Sequence, residues 1–313
     1  MANTFAPGRG APTMVRRRPT LFVWAILLVL ALTWGSSFIL MKRGLFHAGE
    51  PVLSPWQMAS ARLFMAWLAL SPLLVRHGGL FRRNWLPLLG TGLLGNGLPA
   101  ILFAFAQTRI DSSLSGMLNS LTPLMTLVVG VLLFGQRLRA VHVLGVGIGL
   151  TGALLLVRMK SGDGTAEWTW YAMAPIVGTL CYGLSGNIVK AHLSHLPAAG
   201  VAALALTWVG PVSLGLALAT GLPDTLAVHP HGWRALGHVA VLAVGGSAFA
   251  LVLWNMLLQR TTAVQASMVT YLMPVVAIGW GMLDGERITP GQLLMVAVVL
   301  AAVYIVSRGG RNG

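Results

Sequence analysis

Charge is scarce in this chain. Only 9% of its 313 residues are Asp, Glu, Lys or Arg, 56% are hydrophobic, and the mean hydropathy is +0.78, whereas an average soluble domain is about one quarter charged. A water-soluble fold has no place for that much apolar surface. Acids are scarcer still: there are seven, none at the centre of an apolar run. That leaves no visible carboxylate relay for protons and no paired acids for hydrolytic chemistry, so the chain is not expected to be an enzyme. The single cysteine, Cys181, excludes an intramolecular disulfide and a cysteine-built metal cluster. His192 and His195 stand at i, i+3 with no acid or cysteine beside them, which fits a polar loop better than a metal site. No metal and no cofactor is expected. The formal charge is +14, yet Lys and Arg fall in short clusters between apolar runs and form no basic stripe, so no nucleic-acid partner is expected either.

What is abundant is apolar sequence cut into stretches of about twenty residues, the length that crosses a hydrocarbon core as a helix. Ten charge-poor runs predict membrane helices over 21–41, 54–75, 86–107, 112–135, 141–157, 169–189, 198–220, 236–258, 262–283 and 290–307. The first follows Arg16, Arg17 and Arg18; it exceeds the apolar core of a signal peptide and lacks a small-residue cleavage site, so it is read as a retained span. The expected fold class is all-α integral membrane, with the lipid bilayer as its solvent. A basic tail (1–20) and a short tail (308–313) flank two blocks, 21–157 and 169–307, separated by a polar loop at 158–168. With the N-terminus cytoplasmic, thirteen Lys and Arg fall on the cytoplasmic side and seven on the other, together with all seven acids. Because positive loops are retained inside, both termini are expected in the cytoplasm.

The two blocks repeat each other. Arg109 to Pro123 (RIDSSLSGMLNSLTP) aligns with Arg260 to Pro274 (RTTAVQASMVTYLMP) at an offset of 151 residues, with Arg, Met, Leu and Pro recurring. Gly95-Asn96 aligns with Gly246-Ser247 at the same offset, Gly35 and Lys42 align with Gly183 and Lys190 at 148, and Gly135-Gln136-Arg137-Leu138 answers Gly285-Glu286-Arg287-Ile288. Five spans per block is an odd number, so the second block must cross in the opposite sense. Inverted-topology five-helix repeats place a solute near the midplane at the repeat interface, and alternating access follows from exchange between near-equivalent halves.

These residues resemble the drug/metabolite transporter superfamily, specifically its EamA-type ten-helix members. Trp34-Gly35-Ser36-Ser37-Phe38, Ala61-Arg62 and the two Leu-x-Pro copies with their Gly-Glu-Arg-Leu-like sequels carry the likeness; the first copy departs by placing Gln136 where the family usually has Glu. The resemblance implies secondary transport without ATP hydrolysis, often export of amino acids or related metabolites, in a bacterial plasma membrane. Import of sugars or nucleotide-linked solutes, extrusion of cationic drugs, a lipid-modifying membrane enzyme, and a receptor without flux remain the alternatives. A cationic drug held at the midplane would need a membrane carboxylate, which is missing.

Polar residues inside spans are costly and mark a cavity or a helix contact. Ser115, Asn119, Thr122 and Thr126 form one stripe at i, i+4, i+7, i+11, answered in the second block by Ser267, Thr270 and Tyr271. Trp34, about two-thirds of the way along its span, lies deeper than a belt position; with Ser37 it is partnered through the repeat by Tyr182, Ser185 and Asn187, while Asn96, Trp254 and Asn255 extend the set. Arg62 is the one obligate charge clearly inside a span; it either neutralises a substrate carboxylate or bonds to helix-end carbonyls. The expected solute-binding residues are therefore Trp34, Ser37, Arg62, Asn96, Asn119, Tyr182, Asn187, Trp254, Thr270 and Tyr271, with ordinary helix packing as the bland reading of each. Pro123 and Pro274 remove helix hydrogen bonds at matching depths and are expected hinges. Glu286 is expected to cap a helix or pair with Arg287. The glycines at 145, 147, 149 and 152 predict close packing of peripheral helices or a homodimer face.

Overall fold

The computed structural model describes residues 21–137, 140–161 and 166–309. The basic tail 1–20, Arg139, Asp163 and Arg311 lie outside the described residues. The first half comprises α1 (Leu21–Leu45), α2 (Pro55–Leu70), α3 (Phe81–Gly92), α4 (Leu98–Ala106), α5 (Ser112–Asn119), α6 (Thr122–Phe134) and α7 (Ala140–Ser161). The second comprises α8 (Ala166–Ile188), α9 (Ala198–Leu206), α10 (Gly210–Ala219), α11 (Gly232–Val241), α12 (Ala250–Arg260), α13 (Ala263–Ser267), α14 (Met273–Leu283) and α15 (Pro290–Gly309). A two-residue β-ladder pairs Phe46–His47 with Glu50–Pro51.

Among the described residues, eight helices are long and apolar enough to cross a membrane, and a shorter apolar stretch covers Pro290–Ala302. One of the eight, Pro55–Ala106, runs for 52 residues, about 78 Å at 1.5 Å per residue and more than twice a hydrocarbon core. It cannot be one straight crossing. Short 3₁₀ turns at Ser71–Leu73 and Gly78–Leu80 and a non-helical Asn84 break it, and α2 packs back on α4. The second and third spans expected from hydropathy both lie within this stretch. Leu21, Val75, Leu132, Trp170 and Val212 are among the large side chains turned outward, as a lipid solvent requires.

Local signals set the helix ends. Ser54 and Gln57 form a capping box at the start of α2, with Pro55 in the first turn. Gly135 (φ 64°) and Gly285 (φ 82°) follow α6 and α14 in the left-handed region, where glycine carries no Cβ penalty.

The halves interlock reciprocally. α1 packs on α14 and α8 packs on α6; α2 meets α11 and α9 meets α3; α7 and α15 pair with each other. The closest approaches repeat as well. A Cβ on Gly35 would stand 2.6 Å from Cβ of Val276, and one on Gly183 would stand 2.8 Å from the backbone nitrogen of Thr126. Two of the α7 glycines pack within the chain, Gly149 against Leu124 and Gly152 against Val299 of α15, whereas a Cβ on Gly147 would meet nothing within 4 Å. This is the expected all-α membrane fold, built as two repeats in inverted topology.

Candidate functional site: a cavity between the repeats

The reciprocal packing leaves a cavity of about 100 Å³, measured as room for the centres of water molecules, with walls drawn from both halves. Trp34, Ser37, Arg62, Asn96, Asn119, Tyr182, Trp254 and Thr270 all line it. The structure thus brings together eight of the ten residues singled out in the sequence.

The wall is shaped by helix irregularities at matching positions. Wide π-turns occupy Leu93–Gly97 and Leu242–Phe249, and such turns loosen the backbone ladder and free carbonyls. One freed carbonyl, that of Gly246, accepts a hydrogen bond from Trp34 Nε1 at 2.8 Å. The bulge glycines admit hydroxyls from the facing half: a Cβ on Gly246 would lie 2.7 Å from Ser37 Oγ, and one on Gly95 would collide with Ser185 Oγ. The following residues, Asn96 and Ser247, reach the cavity from opposite halves. Arg62 Nε donates to Ser247 Oγ at 2.8 Å.

Aromatic rings form the remaining wall. Trp34 and Trp254 lie 5.5 Å apart and tilted by 58°, while Phe38, Phe103 and Tyr182 follow at successive centroid distances of 5.8 and 6.0 Å. Tilted and offset rings at these distances suit the aromatic quadrupole.

Pro123 and Pro274 do not kink continuous helices. Each sits in the first turn of a new segment, α6 or α14, after a break that follows α5 or the 3₁₀ turn Met268–Tyr271. Hydroxyls satisfy the carbonyls at both breaks: Thr122 Oγ1 donates to Asn119 O at 2.7 Å and Thr270 Oγ1 to Ser267 O at 2.9 Å.

Asn187 and Tyr271 are absent from the cavity wall. Asn187 Nδ2 donates to Thr126 O (2.9 Å) and Gly183 O (2.8 Å), and its Oδ1 accepts from Gln136 Nε2 (3.0 Å). It lies one turn beyond Gly183, on the face of α8 that clamps α6 and away from the cavity. Tyr271 follows Thr270 in a 3₁₀ turn, where successive side chains point about 120° apart; Thr270 faces the cavity and Tyr271 packs with the cluster around Leu114 and Leu118. Sequence reading left Thr91 and Ser247 off the expected set although both line the cavity. Ser247 was detectable, because the 151-residue offset places it on Asn96.

Polar contacts outside the cavity wall also tie the halves together. The Glu286 carboxylate accepts from the backbone nitrogens of Ser112 (3.1 Å) and Ser113 (3.0 Å), from Ser112 Oγ (2.7 Å) and from Lys42 Nζ (2.9 Å). Asp284 joins Lys42 at 2.8 Å and Arg43 at 3.2 Å. Glu286 therefore caps α5, as expected for a capping residue, and its described ion pair reaches across to the other half. Burial alone would raise its pKa, but hydrogen bonds from Ser113, Ser112 and Lys42 prevail and hold it down at about 2. In the first half Gln136 takes the corresponding place, folded over Gly130 as Glu286 folds over Gly281. It donates to Asn187, and Lys190 Nζ donates to Leu258 O at 2.9 Å. The Glu286 contact is ionic, whereas the Gln136–Asn187 contact that answers it is a neutral hydrogen bond.

A family model described as "EamA-like transporter family" matches this sequence twice, over residues 22–158 and 168–308. The chain belongs to the EamA-like transporter family. Among its relatives, "Uncharacterized inner membrane transporter YedA" of Escherichia coli (strain K12) is 26% identical, with 94% of each chain covered. A "Probable terminal-alkyne amino-acid exporter" of Streptantibioticus cattleyicolor is 25% identical, covering 91% of this chain and 93% of the relative. A "Probable amino-acid metabolite efflux pump" of Salmonella typhimurium is 26% identical over 90% and 93%. A crystal structure with 18% identity superposes with a TM-score of 0.62, covering 93% of this chain and 98% of that one; at that identity the match speaks for the fold. The protein is a multi-pass membrane protein of a transporter family.

Proposed function

We propose that this protein is a secondary transporter that exports amino acids or related small metabolites through the central cavity, without ATP hydrolysis. One observation carries the reading: matching elements of two inverted repeats, the Gly95-Asn96 and Gly246-Ser247 bulges and the Asn119 and Thr270 breaks, converge on one cavity that, among the described residues, is lined by a single cation, Arg62. Near-equivalent halves around a shared site are what alternating access requires. In this reading the chain makes ten crossings in a bacterial inner membrane with both termini cytoplasmic, which puts the Glu286 latch at the external face. The eight wall residues named above contact the solute, and the breaks before Pro123 and Pro274 bend as the halves exchange states. The names of the Streptantibioticus and Salmonella relatives support amino-acid-type solutes.

The test is a survey of purified protein against amino acids, purines, sugars, polyamines and cationic dyes, first by thermal stabilisation and then by flux in proteoliposomes. A ligand at about a hundred times its Kd stabilises by roughly 2.7 kcal/mol. Stabilisation by an amino acid that is also moved, and that Asn119→Ala abolishes, is the expected result. A cooperative melt that no compound shifts, with no flux, would reject the reading.

A further inference from the structure

We infer that the transported solute presents a carboxylate to Arg62 and lays an apolar, flat body along Trp34 and Trp254, so that the site selects carboxylates over matched amines and alcohols. The inference rests on the transporter reading and narrows its substrate class.

Arg62 is the cavity's sole charged lining residue among the described residues, and no acid lines the wall beside it. Its described hydrogen bond runs from Nε to a neutral hydroxyl, Ser247 Oγ, at 2.8 Å. The two terminal nitrogens make no hydrogen bond among the described residues and are not among the sealed, unpartnered atoms of the interior. They therefore present their donor edge to the cavity. A guanidinium in a membrane interior demands a compensating anion or water, and the planar Nη1/Nη2 edge matches the two oxygens of a carboxylate.

The repeat argues against a purely structural role. Asn96 occupies in the first half the place that Ser247 holds in the second, and it bonds only weakly, to Thr91 O at 3.5 Å. At the repeat offsets of 148 and 151 residues the positions answering Arg62 are Gly210 and Ser213, in the helix Gly210–Ala219 (GPVSLGLALA), which carries no charge. One half packs this position without a cation, so the architecture does not require one. The cation gives the described wall a single charged pole, while the 5.5 Å Trp34–Trp254 pair supplies an apolar one. A cationic amine finds no acid in the described wall to hold it.

The probes are a matched series: 3-phenylpropionate and L-phenylalanine, against phenylalanine amide, 2-phenylethylamine and 3-phenyl-1-propanol. Binding is read by thermal stabilisation and by competition in proteoliposomes. The two carboxylates are expected to bind at least tenfold more tightly than the amide, amine and alcohol. In Arg62→Gln that preference disappears, and in Arg62→Lys it persists at weaker affinity, because charge is kept and the fork is lost. Should Arg62→Gln fail to fold, the lysine variant and the wild-type series decide. Equal binding of amine, alcohol and acid, an unchanged preference in a folded Arg62→Gln, or no binding of either carboxylate overturns the inference. Flux of any uncharged or cationic solute in the wider survey would then leave the transporter reading standing without it.

Discussion

Glu286→Gln tests the latch between the halves. The substitution keeps size and shape but removes the charge that two backbone N–H groups, a hydroxyl and Lys42 converge upon. Depression of the carboxyl from 4.5 to about 2 corresponds to ~3 kcal/mol of preference for the ionised form. Lys42 is 28% and Asp284 21% exposed, whereas the Glu286 side chain is 3% exposed; screening at the partly wet partners reduces the expected loss to about 1–3 kcal/mol. Because the folded-state pKa lies below the ordinary value, the contribution is complete above pH 4.5 and fades as pH falls toward 2. Thermal melts of wild type and variant in detergent, taken from pH 7 to pH 3, are the assay. The variant should melt earlier at pH 7, and the gap should narrow below pH 4.5. Equal melting at pH 7, or a gap that stays constant to pH 3, would refute the ionic latch. In a Cys181→Ala background, a cysteine at Ser37 should also react faster with an external thiol reagent when Glu286→Gln is added; an unchanged rate would separate the latch from access to the cavity.

Other outcomes follow from single contacts. Trp34→Phe loses the bond to Gly246 O while keeping an aromatic surface, so stability should drop by about 1 kcal/mol and solute affinity should weaken, as titration of the thermal shift will show. Asn187→Ala strips donors and an acceptor from the buried α6–α8 contact; a loss of about 1–3 kcal/mol is expected, with the order of solute preference unchanged in competition assays. Gly183→Ala would drive a Cβ into the backbone of Thr126 and should lower the melting temperature more than Gly147→Ala, whose Cβ would meet nothing within 4 Å.

Hydropathy and the inner repeat determined much of this protein from sequence alone, because a bilayer requires every backbone polar group to be satisfied within a segment. Span length and the 151-residue register therefore yield two helical halves and name the loci, near Gly95, Asn119, Gly246 and Thr270, where the halves converge. What the sequence could not decide was which side of a broken helix each residue faces. Once the backbone switches to 3₁₀ geometry the 3.6-residue phase is lost, so Thr270 enters the cavity while Tyr271 turns away. Asn187 sits on an ordinary helix, but its hydrogen-bonding groups are taken up by Gly183 one turn away and by Thr126 and Gln136 from the other half, a convergence that only packing produces. The pairing of Glu286 with Lys42 and the N-terminus of α5 spans more than 170 residues. Only tertiary packing, which brings the end of one repeat against the start of its counterpart, could make that contact.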